Sequence, residues 1–197
     1  MPELNATDIL PISTMYEPDS VDEVQALVRM AGEQGLAVYP MGGGTSLDYG
    51  LPARADGIGI SMRKLNQVID YPSEDMTITV EAGMTMANLA QTLAQNRQRL
   101  PIDAPQSERA TLGGVIATNF SGPRRYGCGT MRDYVIGIEA VDARGDRGGA
   151  RGVGARVHRG RVDAGAAAAS ERGRLGDDVG IDAVSYTHLT LPTIYSV

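Results

Sequence analysis

Three adjacent glycines, Gly42-Gly43-Gly44, followed by Thr45-Ser46-Leu47, sit directly after the short apolar run Leu36-Ala37-Val38-Tyr39-Pro40. A triple glycine lets the backbone take positive φ and lets another group come very close. Successive N–H groups in such a loop can converge on an anion. The stretch upstream reads as a capped helix. Ser20 is placed as N-cap and Glu23 follows three residues later, a capping-box spacing. Val21, Val24, Leu27, Val28 and Ala31 then share one helical face, and Gly35 supplies the C-terminal stop. Helix, strand and glycine loop in that order predict a loop built to hold a phosphate-like group.

Downstream, Gly57–Met62 and Asn66–Tyr71 read as strands, the second broken by Pro72. Met76–Glu81 alternates with period two and is rich in β-branched residues, the clearest strand of the chain. Ala82-Gly83 turns the chain and Thr85 caps a helix carrying Met86, Leu89, Leu93 and Ala94. Ala110-Thr111-Leu112-Gly113-Gly114-Val115-Ile116-Ala117-Thr118-Asn119 reads as a helix with two glycines near its start. Each glycine costs about 1 kcal/mol against alanine. A ligand close to the backbone, with the helix N-terminus facing negative charge, would offset that. Tyr134–Val141 is a further strand, and Asp142-Ala143-Arg144-Gly145 is a turn that should reverse into another. Strands and helices mix without a regular βαβ repeat, so the fold class is α+β.

Composition excludes several function classes. The net charge is −6 and Lys64 is the only lysine, so no general basic face invites nucleic acid. A single cysteine, Cys128, excludes an internal disulfide and any multi-cysteine metal site. No run approaches the ~18 apolar residues of a membrane helix, and Met1–Thr14 lacks the basic start of a secretory signal. The expectation is a cytoplasmic protein without a metal site. No Walker loop, Rossmann fingerprint, zinc spacing or nucleophile elbow is present.

The separated motifs Pro40-Met41-Gly42-Gly43-Gly44-Thr45-Ser46, Val80-Glu81-Ala82-Gly83, Thr111-Leu112-Gly113-Gly114 and Arg132-Asp133 occur in an order and spacing that carry a resemblance. Together they resemble the FAD-binding domain of the p-cresol methylhydroxylase (PCMH) / vanillyl-alcohol oxidase flavoproteins. Phe120-Ser121-Gly122-Pro123-Arg124-Arg125 looks most like the FAD-binding E subunit of glycolate oxidase. The resemblance implies the N-terminal part of a PCMH-type domain over residues 1–143, with short mixed sheets and flanking helices. It implies a cofactor, FAD. Gly42, Gly43, Gly44, Thr45 and Ser46 would bind its pyrophosphate. Pro105, Thr111, Gly113 and Gly114 would line the flavin and its phosphates, and Ala117, Ser121 and Tyr126 would lie near the isoalloxazine or ribityl chain. The implied activity is oxidation of a small 2-hydroxy acid, such as glycolate or D-lactate, by hydride transfer to flavin. The implied partners are other flavoprotein and iron–sulfur subunits of a glycolate-oxidase-like complex. The alternatives are a non-catalytic scaffold subunit or a truncated, non-functional fragment.

The chain departs from the family pattern in two ways. His158 and His188 lie outside the matching stretch and Cys128 is not at the family's attachment position, so FAD is expected to be non-covalent. No catalytic base is identifiable. Residues 144–197 read as an irregular tail: 146–180 is rich in Gly, Ala and Arg like a shifted frame of a GC-rich gene. Val184–Val197 resembles the translation of a transposon end. The rest of the FAD domain and a substrate-capping domain are not recognisable there. A strand at Ile138 is then expected to lack its partner, an aggregation hazard.

Overall fold

The structure is a computed structural model that describes residues 9–47, 53, 55–151 and 183–190. Its first layer is a parallel three-stranded sheet in the order β1 (Ile12–Tyr16), β3 (Gly57–Ser61), β2 (Ala37–Met41). Helix α1 (Val21–Gln34) crosses from β1 to β2. Ser20 Oγ accepts from the Glu23 N–H at 3.3 Å, as the sequence predicts. The Glu23 carboxylate reaches back to the N–H of Asp19, one residue before the cap, instead of closing the box on Ser20. Gly35 takes φ 66° and its N–H returns to the last turn. The buried stripe Val21, Val24, Val28, Ala31 packs on Ile58 and Ile60 of β3 with Met62 and Leu65. β3 lies between its two neighbours and is buried along its whole length.

The second sheet runs β4 (Val68–Asp70), β5 (Thr77–Glu81), β8 (Ala183–Thr190), β6 (Val135–Val141), β7 (Arg147–Arg151), all antiparallel. Ile78 and Val80 are fully buried while Thr77 and Thr79 are half-buried, the expected alternation. Met76, read as strand, instead takes φ 55° and closes a 3-10 turn, Ser73–Asp75. The strand read over Asn66–Tyr71 contracts to a short exposed edge. Against this sheet pack α2 (Met86–Ala94), α3 (Leu112–Ala117) and two short helices, α4 (Arg125–Cys128) and α5 (Met131–Tyr134). Their core is Ile78, Val80, Met86, Leu89, Leu93 and Leu112, with Val115 and Met131.

Two strands lie within the segment read as an irregular tail. β7 is the strand that the Asp142–Gly145 turn predicts, and residues 183–190 run between β5 and β6. Ile138 therefore has Ala150 on one side and Thr187 on the other, which corrects the expectation of an unpartnered edge. Residues 152–182 and 191–197, including His158, lie outside the described residues.

The two halves are tied at the β6–β7 turn. Gln25 and Arg29 of α1 both donate to the Gly145 carbonyl, at 2.8 and 2.9 Å. Val141 at the end of β6 is buried in the first core. No helix among the described residues is long and apolar enough to cross a membrane.

Candidate functional site

The glycine loop leaves the carboxyl end of β2, the end of a parallel strand where ligands of open α/β sheets bind. Of its three glycines only Gly44 is left-handed, at φ 67°. Gly42 and Gly43 are needed for a different reason. A Cβ on Gly42 would stand 2.0 Å from Thr111 Oγ1, and one on Gly43 would stand 1.7 Å from the Arg109 carbonyl oxygen. The loop is thus pressed against residues 109–111, and the two glycine stretches of the sequence meet in space.

Their polar groups differ. Among the described residues, no hydrogen bond takes the N–H of Gly43, Gly44, Thr45 or Ser46. Successive unpartnered N–H groups around a left-handed residue are the geometry of an anion nest. The start of α3 is the opposite case. Leu112 N–H donates to Met84 O and Gly113 N–H to Ala82 O, each at 2.8 Å. Gly114 N–H donates to Thr111 Oγ1 at 3.3 Å and Val115 N–H to Thr111 O. Every donor of that helix start is used by the chain itself, so none of these N–H groups is free for an anion. The glycine of Gly113 answers to packing: a Cβ there would meet Ala82 Cβ at 2.9 Å.

Of the residues singled out in the sequence, Thr45, Ser46, Pro105 and Gly114 line one small cleft of ≈ 30 Å³. A drug-sized ligand needs a pocket of about 300 Å³ or more, so this cleft is one wall of a site and not its container. Ala104, Pro105 and Phe120 are shared with a larger cleft of ≈ 520 Å³, lined chiefly by apolar side chains such as Met86, Leu89 and Ile102. The other candidates stand elsewhere. Thr111 is buried as the N-cap of α3. Ser121 is buried and linked to its own chain, its hydroxyl donating to Asn119 O and accepting from Met131 N–H. Ala117 is exposed at the end of α3, and Tyr126 is fully exposed on α4.

Charged groups around the clefts are mostly committed. Arg124 makes a two-pronged contact with Asp103, through Nε at 2.6 Å and through Nη2. The hydrogen bond from Arg124 holds the Asp103 carboxyl below the usual carboxylate range. Asp133 caps α5, accepting from the Thr130 N–H at 2.6 Å and its hydroxyl at 3.0 Å. Cys128 is half-buried on α4, and its carbonyl accepts from the Tyr134 hydroxyl. Burial pushes the Tyr134 hydroxyl pKa up.

The sequence reading missed Thr118, whose hydroxyl bonds Gly114 O at 2.9 Å and which lines the small cleft. A helical threonine can bond back to the carbonyl four residues earlier, which is the local signal it carried. It also missed Arg109, whose Nη2 donates to Gly43 O at 3.4 Å. Nothing local in the sequence indicates that contact, because it spans the two segments.

Unpartnered N–H groups suit a diphosphate, the central linker of a dinucleotide cofactor, and the apolar cleft beside them offers a surface for one of its ring systems. Comparison with known proteins agrees. The family described as FAD binding domain matches residues 12–147. A probable mitochondrial D-lactate dehydrogenase from Danio rerio is 38% identical over 135 residues, 68% of this chain and 27% of that protein. A D-2-hydroxyglutarate dehydrogenase from Xanthomonas citri pv. viticola is 36% identical over 66% of this chain and 27% of its own length. Glycolate oxidase subunit GlcD from Bacillus subtilis is 30% identical, with the same 66% and 27% coverage. The chain thus spans little more than a quarter of these relatives. Among solved structures, alkyldihydroxyacetonephosphate synthase superposes with TM-score 0.69 at 23% identity, over 93% of this chain and 34% of the other, a likeness of fold. On these grounds the chain belongs to the family described as FAD binding domain, built on the PCMH-type fold.

Proposed function

We propose that this chain holds FAD non-covalently as the cofactor-binding part of an oxidoreductase acting on 2-hydroxy acids, with a glycolate-oxidase-like role. The observation that carries the reading is the run of unpartnered N–H groups from Gly43 to Ser46 around left-handed Gly44. The diphosphate would lie across these donors. Thr45, Ser46, Pro105, Gly114 and Thr118 would form the wall beside it. Bound FAD supplies a hydride acceptor. The chain's own residues supply binding, orientation and an apolar surface that excludes water. We assign no catalytic base within the described residues.

The substrate class follows the relatives, which are named for D-lactate, 2-hydroxyglutarate and glycolate. Glycolate or D-lactate is the proposed substrate, iron–sulfur and further flavoprotein subunits are the proposed partners, and the cytoplasm is the proposed location. Ala117, Ser121 and Tyr126 enter the proposal as the side nearest the flavin ring, Ser121 through the backbone it holds in place.

Purification tests this. The expected result is a yellow protein whose flavin is released into the supernatant by acid precipitation, as non-covalent binding requires. Within its complex, the flavin bleaches anaerobically with glycolate or D-lactate. A colourless, cooperatively melting protein that takes up no FAD would sink the reading and leave a scaffold role.

A further inference from the structure

We infer that Arg109 is a positioning residue that presets the glycine loop for its anion. The inference rests on the FAD reading and deepens it. Arg109 touches the loop twice. Its carbonyl oxygen lies against Gly43, so close that no side chain fits between them. Its guanidinium turns back, donating to Gly43 O at 3.4 Å and to Gln106 Oε1 at 3.3 Å. The same Nη2 lies 3.9 Å from where a Cβ of Gly44 would be.

The consequence follows from peptide geometry. No cis peptide occurs among the described residues, so the Gly43 carbonyl and the Gly44 N–H point in opposite directions across one planar unit. A guanidinium gripping the carbonyl fixes that plane and aims the Gly44 N–H away from Arg109. The left-handed turn at Gly44 then brings the following N–H groups toward a common point. Three adjacent glycines would otherwise sample many orientations, and ordering them at the moment of binding would cost affinity. Arg109 removes part of that cost beforehand. Its charge acts on a neutral carbonyl, and the anion meets the loop's N–H groups. Gln106 holds the guanidinium in place, and the Arg109 N–H itself donates to Gln106 O at 2.8 Å.

The test compares full-length wild type, Arg109→Gln and Arg109→Lys. FAD and ADP affinities are measured by equilibrium dialysis at low and high salt, and backbone hydrogen exchange is followed over residues 42–47. Arg109→Gln is expected to weaken FAD and ADP together by about tenfold. The ratio to wild type should be the same at both salt concentrations, exchange should rise in the loop of the ligand-free protein, and Arg109→Lys should recover most of the affinity. A loss that shrinks as salt rises marks direct contact with the phosphates and overturns the positioning role. Unchanged exchange and affinity in Arg109→Gln also overturns it. If wild type binds neither FAD nor ADP, the cofactor reading fails. Raised loop exchange in Arg109→Gln would then still uphold the positioning of the loop.

Discussion

At Gly43 the absence of a side chain is demanded by the protein's own backbone. A methyl group there would meet the Arg109 carbonyl oxygen at 1.7 Å, and that oxygen cannot swing aside as the end of a long side chain could. Gly43→Ala is expected to destabilise the fold toward the upper end of the ~1–3 kcal/mol of an overpacked site, read from urea melts. Gly44 differs. A Cβ there meets nothing nearer than 3.6 Å, but φ is 67°. Gly44→Ala is expected to cost about 1–2 kcal/mol of backbone strain without any steric clash. Asp103 gives a pH prediction. Its folded pKa is depressed, chiefly by the hydrogen bond from Arg124. Its contribution is then fully present above the unfolded value of about 3.9 and is lost as pH falls through the folded value. Arg124→Met should flatten the acid limb of stability below about pH 4. The effect should be modest and salt-sensitive, since both side chains are part-exposed.

The elements owe their positions to caps as much as to apolar faces. Ser20, Thr85 and Thr111 each place a hydroxyl on a backbone N–H in the first turn of the following helix. Thr111 does more than its counterparts. It caps a six-residue helix too short to persist alone, and it forms the surface on which Gly42 rests. Thr111→Ala is expected to cost about 1 kcal/mol as a lost cap. Thr111→Ser should retain most of that stability, measured by the same melts. The caps at Ser20 and Thr85 were legible in the sequence, since a hydroxyl before an apolar periodic run is a local signal, whereas Thr111 reads there as part of the helix Ala110–Asn119 and only the structure makes it a cap. The strand from Thr77 was legible for the same reason, because alternation is local. The conformation of Met76 was not, since a 3-10 turn closing with φ 55° leaves the same apolar residue at the same place in the pattern.

Across the molecule, the two cores are joined by the α1 contacts to the Gly145 turn, by Val141 reaching into the first core and by the glycine loop pressed against residues 109–111. The second sheet has a distinctive order. β5 and β6 each pair with β8 and not with one another, so residues 183–190 fill a slot at its centre. Ending the chain at Arg151 would present two long unpaired edges to solvent. Such a variant is expected to lose its cooperative melt and to aggregate, visible by circular dichroism and light scattering. The pairing concerns backbone groups and is indifferent to much of the side-chain chemistry. A sequence that reads as irregular or foreign can therefore occupy such a slot.

The sequence by itself determined the local grammar: the capped helix before β2, the glycine loop after it, the alternation of β5, and the turn at Asp142–Gly145. Those features depend on residues within a few positions of one another. It also carried the family, because several short motifs in fixed order are a joint signal. Only the tertiary structure decided which glycines answer to packing. Gly42, Gly43 and Gly113 are small because another part of the chain lies against them, and a sequence cannot show what lies opposite. It likewise decided that the second glycine stretch has no N–H to give, since Met84 O, Ala82 O and Thr111 already take its donors. The free donors remain in the first stretch, Gly43 to Ser46, where Arg109 arrives from a distant segment to hold the loop.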